Sequence, residues 1–384
     1  MPLHIADEAA IKSGKTTDVY FERTAQILRA RNIHKQVVME VRAGSLPSDY
    51  QWAVLAGIEE VATLLTGLPV TAYAMPEGAL FHAGEPVLWV RGDYLDFGRL
   101  ETALLGCLCH ASGIATKAAR CKQAAGDRPL LSFGARRAHP AIAPMVERNA
   151  YIGGCDGVAT VEAARLLGEP PVGTMPHALT LILGSARDAF AAFDEVMDPS
   201  VPRVCLVDTL CDEKFEALVA AELLGDRLSA VRLDTPASRR GNIVHIAQEV
   251  RWELALRGYK NVRIFLSGGV NEEEIARTRE VIDAYGVGTA ISNARVIDFA
   301  MDIVELDGKP FAKRGKESGV KQVLRCPLCG ARKVVPRGTV ESPCACPADP
   351  QPLLSPFIED GRLARTLPSP QQTRAYVLER LKRL

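Results

Sequence analysis

The pattern of apolar and polar positions changes twice along the chain, and each part predicts a different architecture. Over residues 1–112, strand-like and helix-like apolar stretches mix without regular alternation, as is typical of an α/β sandwich-like domain. Over residues 113–294, short apolar runs alternate with segments of helical period, which predicts parallel strands joined by crossover helices. Over residues 295–384 the alternation stops and short strand-like runs follow. We therefore expect two domains and a small C-terminal segment that packs on the first domain.

The alternating part predicts a β/α barrel that is irregular or incomplete. Its apolar runs predict strands at 130–133, 156–159, 172–174, 203–207, 229–233, 262–266 and 286–291. A closed barrel of this class has eight strands, so this number of runs favours a distorted or open one. A long apolar helical region from Leu100 to Lys122, interrupted near Ser112, is expected to lead into the barrel.

Composition restricts the classes of function. The chain has 384 residues, of which 47% are apolar and 24% charged, and its 46 basic residues balance its 46 acidic ones. This zero net charge argues against nucleic acid as a partner, because nucleic-acid binding usually requires a basic excess. The sequence contains no apolar run long enough to span a membrane, and its N-terminus lacks the apolar core of a signal peptide. We therefore expect a cytoplasmic protein.

Four of the ten cysteines form a group in the C-terminal segment. Cys326 and Cys329 are the first pair, and Cys344 and Cys346 form a second, closer pair after 14 intervening residues. Two such pairs can supply four thiolates in tetrahedral geometry, so residues 326–346 predict a zinc knuckle with structural Zn²⁺. The remaining cysteines lie singly in apolar or mixed segments and are expected to be reduced thiols.

Two glycine turns follow successive predicted strands of the barrel and are candidates for phosphate binding. The first is Ser267, Gly268 and Gly269, and the second contains Gly286, Gly288 and Thr289. Glycines allow backbone N–H groups to approach an anion closely. The loops after the last barrel strands commonly hold a phosphate in barrel enzymes, although simple tight turns would have the same sequence.

Carboxylates end two other apolar runs of the barrel. Asp208 and Asp234 can each accept hydrogen bonds from sugar hydroxyls or position Mg²⁺, or can instead cap a helix. Arg232 lies two residues before Asp234, so both side chains share one face of the strand, and their proximity favours a functional pair.

An aromatic residue, an arginine and a histidine follow further predicted strands. Phe133 can stack on a ring, and Arg136 offers a planar guanidinium suited to a carboxylate or a phosphate. His177 follows Pro176 just before an apolar helix, where an imidazole can act as acid, base or phosphoryl acceptor. Together the strand ends favour an enzyme that acts on a phosphorylated, anionic substrate.

The order of these segments resembles the nicotinate phosphoribosyltransferase family over about residues 15–320. The matching segments are TDVY (17–20), SFGARR (132–137), GGCDG (153–157), GTMPHAL (173–179), VDT (207–209), VRLDT (231–235), FLSGG (265–269) and GVGT (286–289). Some members of that family carry a similar C-terminal zinc knuckle.

The resemblance implies a reaction. Nicotinate and 5-phosphoribosyl-1-pyrophosphate would give nicotinate mononucleotide and pyrophosphate, a step toward NAD, with Mg²⁺ neutralising the pyrophosphate. ATP hydrolysis would be coupled through a phosphohistidine at His177, although Pro176 departs from the commoner form of that motif.

The resemblance also implies roles for individual residues. Nicotinate would be bound by Tyr20, Phe133, Arg136 and Asp156, with Tyr20 supplied by the neighbouring subunit of a homodimer. The catalytic group would be His177, Asp208, Arg232 and Asp234, of which Arg232 and Asp234 bind the phosphoribosyl moiety. The two glycine turns would hold the 5′-phosphate.

Two alternatives remain open at this point. Quinolinate phosphoribosyltransferase has a related architecture and releases CO₂, and its substrate has two carboxylates, so its site should contain more basic residues around the ring. A zinc-knuckle protein that binds RNA on a degenerate barrel is the alternative without enzymatic activity, and the neutral charge weighs against it.

Overall fold

The computed structural model describes residues 3–236 and 238–384, and these residues form a mixed α/β protein. Within that part of the chain, none of the helices combines the length and apolar character needed to cross a membrane. The α-helices, labelled α1 to α14 in chain order, are Glu8–Lys12, Val19–Ala30, Ile58–Leu65, Tyr94–Phe97, Glu101–Ala125, Ala143–Ile152, Val161–Leu167, His177–Leu183, Ala186–Val196, Glu213–Leu224, Ile243–Leu256, Glu272–Thr278, Thr289–Ser292 and Pro370–Leu381.

The strands form several sheets. Labelled β1 to β18 in chain order, they are Gln36–Ala43, Ala53–Val54, Thr71–Ala74, Leu80–Phe81, Pro86–Asp93, Leu130–Ser132, Gly157–Val158, Arg203–Leu206, Leu228–Leu233, Arg263–Leu266, Ala284–Val287, Phe299–Leu306, Lys309–Pro310, Lys321–Arg325, Arg332–Pro336, Gln351–Pro352, Ser355–Glu359 and Arg362–Leu363.

Contacts divide the chain into two compact units. One contains the residues up to Thr116 together with Arg295–Leu384, and the other is Lys117–Ala294. The division falls inside α5, which runs without the break predicted near Ser112. The Ser112 hydroxyl accepts a hydrogen bond from Ala56 N at 3.0 Å, and a Cβ on Gly113 would lie 2.4 Å from Arg295 O. Small residues here therefore permit close packing and do not end the helix.

Residues 117–294 contain a curled sheet of parallel strands, an open half-barrel. The strand order is β7-β6-β11-β10-β9-β8, with every neighbouring pair parallel. The prediction of an incomplete barrel is therefore confirmed. The strand predicted at 172–174 is wrong, because that segment is extended but joins no sheet. Its backbone makes one bond to β7, from Val172 N to Val158 O at 2.8 Å, and the preceding Pro170 and Pro171 have no amide hydrogen to donate.

The other unit is built on an antiparallel sheet of order β13-β12-β1-β5-β3-β17-β18. The central strands β1 and β5 pair over most of their length, and β12 and β17 of the C-terminal segment pair with β1 and β3. Trp89, Phe81 and Phe357 are fully buried in its core. A smaller sheet, of order β15-β14-β16, lies in the segment that carries the four grouped cysteines.

Candidate active site

The carboxyl ends of the parallel strands in residues 117–294 meet at one edge of the half-barrel and enclose two adjoining cavities of about 340 and 310 Å³. Both cavities are lined by Phe133, Arg136, Arg232 and Asp234. The larger one is completed by the two glycine turns with Arg137, and the smaller by the segment from Val172 to His177. Because parallel strands end together, segments far apart in sequence contribute to one site.

The first glycine turn follows β10 and presents backbone to the larger cavity. Gly268 and Gly269 both have positive φ, at 80° and 69°, which a residue with a side chain rarely adopts. A Cβ on Gly268 would also lie 3.1 Å from the carbonyl oxygen of Asp234. Arg240 Nη1 donates a hydrogen bond to Gly268 O at 3.1 Å, which holds that carbonyl in place. The turn can therefore offer its glycine amides to an anion.

The second turn begins inside β11, at Gly286, and requires glycine for a different reason. A Cβ on Gly286 would lie 2.4 Å from the Phe133 ring, so glycine is required for the ring to pack there. Gly288 precedes α13, whose first residue is Thr289, and all three line the larger cavity.

The hydrogen bonds of Ser267 differ from those expected of a phosphate-binding residue. Its amide donates to Leu233 O at 2.9 Å, and its hydroxyl lies 2.7 Å from Asp234 Oδ1. Both of its donors are thus used within the protein, so Ser267 has no proton left for a phosphate in this arrangement.

Arg232 is held at the boundary of the two cavities. Its Nε donates to Ser267 Oγ and its Nη1 to Thr174 Oγ1, both at 2.8 Å, and its Nη2 lies 3.4 Å from Asp234 Oδ2. Its guanidinium also lies over the Phe133 ring, 5.2 Å from the ring centroid. An arginine has five N–H donors, so some remain for an anion in the cavities.

Asp208, Asp234 and His177 form one group. His177 Nε2 lies 3.5 Å from Asp234 Oδ2 and 3.9 Å from Asp208 Oδ1. The Asp208 carboxylate accepts hydrogen bonds from Asp234 N at 3.0 Å and Thr235 Oγ1 at 3.2 Å through Oδ2, while Oδ1 is buried without a hydrogen-bond partner. Burial raises the pKa of Asp208 from 3.8 to about 6, against the opposing effect of His177.

The other side of the His177 ring is fixed by a loop. His177 Nδ1 lies 3.0 Å from Thr209 Oγ1 in the loop after β8. That loop is held by Glu216, whose carboxylate accepts hydrogen bonds from the amides of Thr209, Leu210 and Cys211 at 2.9 to 3.1 Å. Glu216 is 3% exposed, so α10 positions the imidazole through a buried carboxylate.

Asp156 is a predicted site residue that lines neither cavity, whereas Tyr20 was expected to serve the site of a neighbouring subunit. Asp156 Oδ2 accepts hydrogen bonds from Leu130 N at 2.8 Å and Lys122 Nζ at 2.9 Å. Leu130 begins β6, so Asp156 lies at the amino end of the strands, opposite Phe133, and its placement does not support contact with a bound ring. Tyr20 belongs to the other compact unit, on α2, where it is 55% exposed.

Several residues of the site were not anticipated from the sequence. Thr174, Thr209, Glu216 and Arg240 hold the functional groups described above. A usable signal was the Asp-Thr dipeptide, which follows both β8 and β9 and whose second threonine, Thr235, binds Asp208. Glu216 gave no such signal, because an acidic residue in the first turn of a helix is common.

The four grouped cysteines converge in the other unit. The sulfur atoms of Cys326, Cys329, Cys344 and Cys346 all lie within 4.8 Å of one another. A tetrahedral metal with metal–sulfur bonds of about 2.3 Å would hold sulfurs about 3.8 Å apart, so the donor set fits a metal ion.

Comparisons with known proteins add family evidence to this geometry. Residues 18–112 match the family model of the quinolinate phosphoribosyl transferase N-terminal domain, and residues 114–302 match that of its C-terminal domain. A nicotinate phosphoribosyltransferase of Mycobacterium tuberculosis is 33% identical over 362 residues, which cover 82% of this chain and 78% of that protein.

Solved structures are similar over nearly the full length. The crystal structure of nicotinate-nucleotide pyrophosphorylase from Pyrococcus furiosus has a TM-score of 0.97 and 56% identity, and the match covers 100% of this chain and 98% of that one. Human nicotinic acid phosphoribosyltransferase has a TM-score of 0.76 and 24% identity, covering 96% and 94% of the two chains, and shows likeness of fold alone.

These findings correct the resemblance drawn from the motifs. The identification with the nicotinate phosphoribosyltransferase family is wrong, because both matching family models are those of quinolinate phosphoribosyl transferase. The Pyrococcus structure shares 56% of its sequence with this chain, whereas the nicotinate relatives from M. tuberculosis and cattle share 33% and 27%. The predicted reaction, ATP-coupled synthesis from nicotinate through a phosphohistidine at His177, is withdrawn with it.

Proposed function

The chain belongs to the phosphoribosyltransferase family built from the quinolinate phosphoribosyl transferase N- and C-terminal domains, and we propose that it transfers phosphoribosyl to quinolinate with loss of CO₂. The ring nitrogen forms a bond to C1 of 5-phosphoribosyl-1-pyrophosphate, and the bond from C1 to the pyrophosphate oxygen breaks. The carboxylate at C2 then leaves as CO₂, and a proton replaces it on the ring. The products are nicotinate mononucleotide, pyrophosphate and CO₂. The similar protein from Pyrococcus furiosus is named nicotinate-nucleotide pyrophosphorylase, after the first two of these compounds.

The observation that carries this proposal is the concentration of guanidinium groups around one aromatic ring. Arg136, Arg137 and Arg232 all line the larger cavity together with Phe133, and His177 lines the adjoining one. A dicarboxylate with a phosphorylated cosubstrate needs several cations, and guanidinium forks suit carboxylates and phosphates. We propose that Arg136 and Arg137 bind the ring carboxylates while Phe133 packs against the ring.

The phosphoribosyl moiety is proposed to occupy the larger cavity. The amides of Gly268 and Gly269 and the turn at Gly286, Gly288 and Thr289 would bind the 5′-phosphate, supported by the positive φ angles and the fixed carbonyl of Gly268. Asp234 and Arg232 would bind the ribose hydroxyls and the phosphates, because both side chains line the two cavities.

The charge that develops at the sugar C1 explains the buried carboxylates. Displacement at a sugar carbon proceeds through a transition state with oxocarbenium character, which negative charge nearby stabilises. Asp234 and Asp208 would supply this charge, and His177 lies within 3.5 Å of the nearer oxygen and orients it. The unpartnered Asp208 Oδ1 fits an oxygen donor for Mg²⁺, which when bound neutralises the pyrophosphate leaving group.

Zinc is proposed for the four-cysteine group. All four positions would be filled by Cys326, Cys329, Cys344 and Cys346, so the ion would stabilise the segment rather than catalyse. We expect elemental analysis of the wild-type protein to give about one zinc per chain. The Cys329→Ser variant should lose this zinc and unfold at a lower temperature. Zinc-free protein with four freely titrating thiols here would contradict the assignment.

We also propose a homodimer with a shared site. Tyr20 is more than half exposed on α2, as expected of a residue that reaches a partner's site. Gel filtration with light scattering of wild type, and kinetics of Tyr20→Ala, test it. A monomer with full activity would contradict the proposal.

The reaction is tested with a panel of pyridine substrates. Purified protein with phosphoribosyl pyrophosphate and Mg²⁺ receives quinolinate, nicotinate or nicotinamide separately, each with and without ATP, and mononucleotide is measured. We expect product from quinolinate without ATP. Product from nicotinate alone would overturn the proposed substrate and retain the phosphoribosyl transfer.

A further inference from the structure

Ser267 sits between two residues that line both cavities. It is 2% exposed, follows the last residue of β10, and its hydroxyl lies 2.8 Å from Arg232 Nε and 2.7 Å from Asp234 Oδ1. Arg232 and Asp234 are themselves largely buried, with side chains 15% and 17% exposed. The hydroxyl thus bridges the cation and the anion of the site at the wall of the larger cavity.

The direction of both hydrogen bonds is fixed by the partners. Arg232 Nε can only donate and an ionised carboxylate can only accept, so the Ser267 oxygen accepts from Arg232 and gives its single proton to Asp234. The other acceptor within reach, Leu233 O, lies farther away at 3.3 Å.

These bonds select which atoms face the substrate. With Nε bound to Ser267 and Nη1 to Thr174, the plane of the Arg232 guanidinium is set. With Oδ1 of Asp234 bound to Ser267, the other oxygen Oδ2 is directed to His177 Nε2 at 3.5 Å.

We infer that Ser267 is a positioning residue, whose hydroxyl fixes the orientations of Arg232 and Asp234 for the phosphoribosyl group and does not bind phosphate itself. This inference rests on the proposed function only in so far as the site binds phosphoribosyl pyrophosphate. A hydroxyl that bonds two charged groups holds them more precisely than their own longer contact, 3.4 Å between Arg232 Nη2 and Asp234 Oδ2, can do alone.

The test compares Ser267→Ala, which removes the hydroxyl, with Ser267→Thr, which keeps it. Ser132→Ala is the matched control, because Ser132 is equally buried at the end of the nearby strand β6 and its hydroxyl has no hydrogen-bond partner. Binding of phosphoribosyl pyrophosphate with Mg²⁺ is measured by calorimetry. Steady-state kinetic constants are measured with the pyridine acid from which the wild-type protein forms mononucleotide.

For Ser267→Ala we expect kcat/KM for phosphoribosyl pyrophosphate to fall about 30-fold, the size of one hydrogen bond to a charged group, while KM for the acid changes less than about threefold. Ser267→Thr should recover most of the loss, and the control should match wild type. Wild-type values in Ser267→Ala, or an equal loss in Ser267→Thr, would overturn the inference while leaving the proposed function standing. A wild-type protein that does not bind phosphoribosyl pyrophosphate would overturn both.

Discussion

Phe133 and Gly286 show how one missing side chain shapes the site. The ring lies where a Cβ on Gly286 would approach within 2.4 Å, and it packs edge-on against Phe265 at 5.6 Å between centroids, with Arg232 over it. Because Gly286 has no Cβ, the ring can lie against the neighbouring strand instead of farther into the cavity. Since Phe133 also fixes where an aromatic acid can lie, Gly286 acts on substrate binding through it.

Gly286→Ala should therefore move the Phe133 ring into the larger cavity. We expect KM for the pyridine acid to rise at least about tenfold, the effect of a misplaced contact, with smaller loss of stability than of binding. Gly106→Ala is the control, because nothing lies within 4 Å of its added methyl and its backbone is helical. Unchanged KM in Gly286→Ala would show that the ring does not contact the substrate.

Asp208 makes stability depend on pH in a defined window. Its pKa is raised by burial from 3.8 to about 6, so the folded protein favours the neutral acid. The stability that this preference contributes is fully present below pH 3.8 and is lost as pH rises through 6. The side chain is 2% exposed, so solvent does little to weaken the effect.

Asp208→Asn should remove that pH dependence. Relative to wild type, the free energy of unfolding of the variant should gain about 3 kcal/mol between pH about 4 and about 6 and stay level above that range. Urea denaturation at several pH values measures it. If the difference in unfolding free energy between the variant and wild type does not change with pH across this window, Asp208 ionises in the folded protein as it does in water.

At the scale of elements, buried glutamates hold the loops at the carboxyl ends of the strands. Glu147 on α6 is fully buried and accepts hydrogen bonds from Ala159 N at 2.9 Å and Thr160 N at 2.8 Å, just after β7. Glu216 on α10 does the same for the loop after β8. Each helix thus holds, through one buried carboxylate, a loop at the carboxyl end of a neighbouring strand.

Glu147→Gln should loosen the loop after β7. A glutamine side chain has one oxygen that accepts and one NH₂ group that only donates, so one backbone N–H of the loop loses its acceptor. We expect this to cost about 2 kcal/mol in the free energy of unfolding. Glu195→Gln, on the exposed side of α9, is the control with no expected change. Equal stability of the two variants would show that the Glu147 hydrogen bonds contribute nothing.

The elements that could be predicted from the sequence are those with local signals. Five of the seven apolar runs assigned to the barrel match strands of the described chain, and the cysteine pairs converge as their spacing predicts. The run at 286–291 is strand only at Gly286 and Val287, because α13 begins at Thr289. The run at 172–174 failed because two prolines before it remove the amides that a strand needs. Pairings such as β1 with β12 join residues more than 250 positions apart, and no local pattern specifies them.

At the scale of the whole molecule, the sequence located the site better than it identified the substrate. The strand-end residues Phe133, Arg136, Arg232 and Asp234 meet around the two cavities. However, turns that fit phosphate and carboxylates that fit ribose suit any enzyme that uses phosphoribosyl pyrophosphate, so these motifs do not distinguish one pyridine acid from another. The role of Asp156 beside the ring came only from the family resemblance, although the strand predicted at 156–159 already begins at this residue and so places it at the amino end.

The most direct test of the central claim follows the carbon that leaves. Quinolinate labelled at its C2 carboxylate is incubated with the protein, phosphoribosyl pyrophosphate and Mg²⁺ without ATP, and labelled CO₂ and pyrophosphate are measured together. The account predicts one CO₂ for each pyrophosphate released. Pyrophosphate release from nicotinate, with no labelled CO₂ from quinolinate, would contradict it.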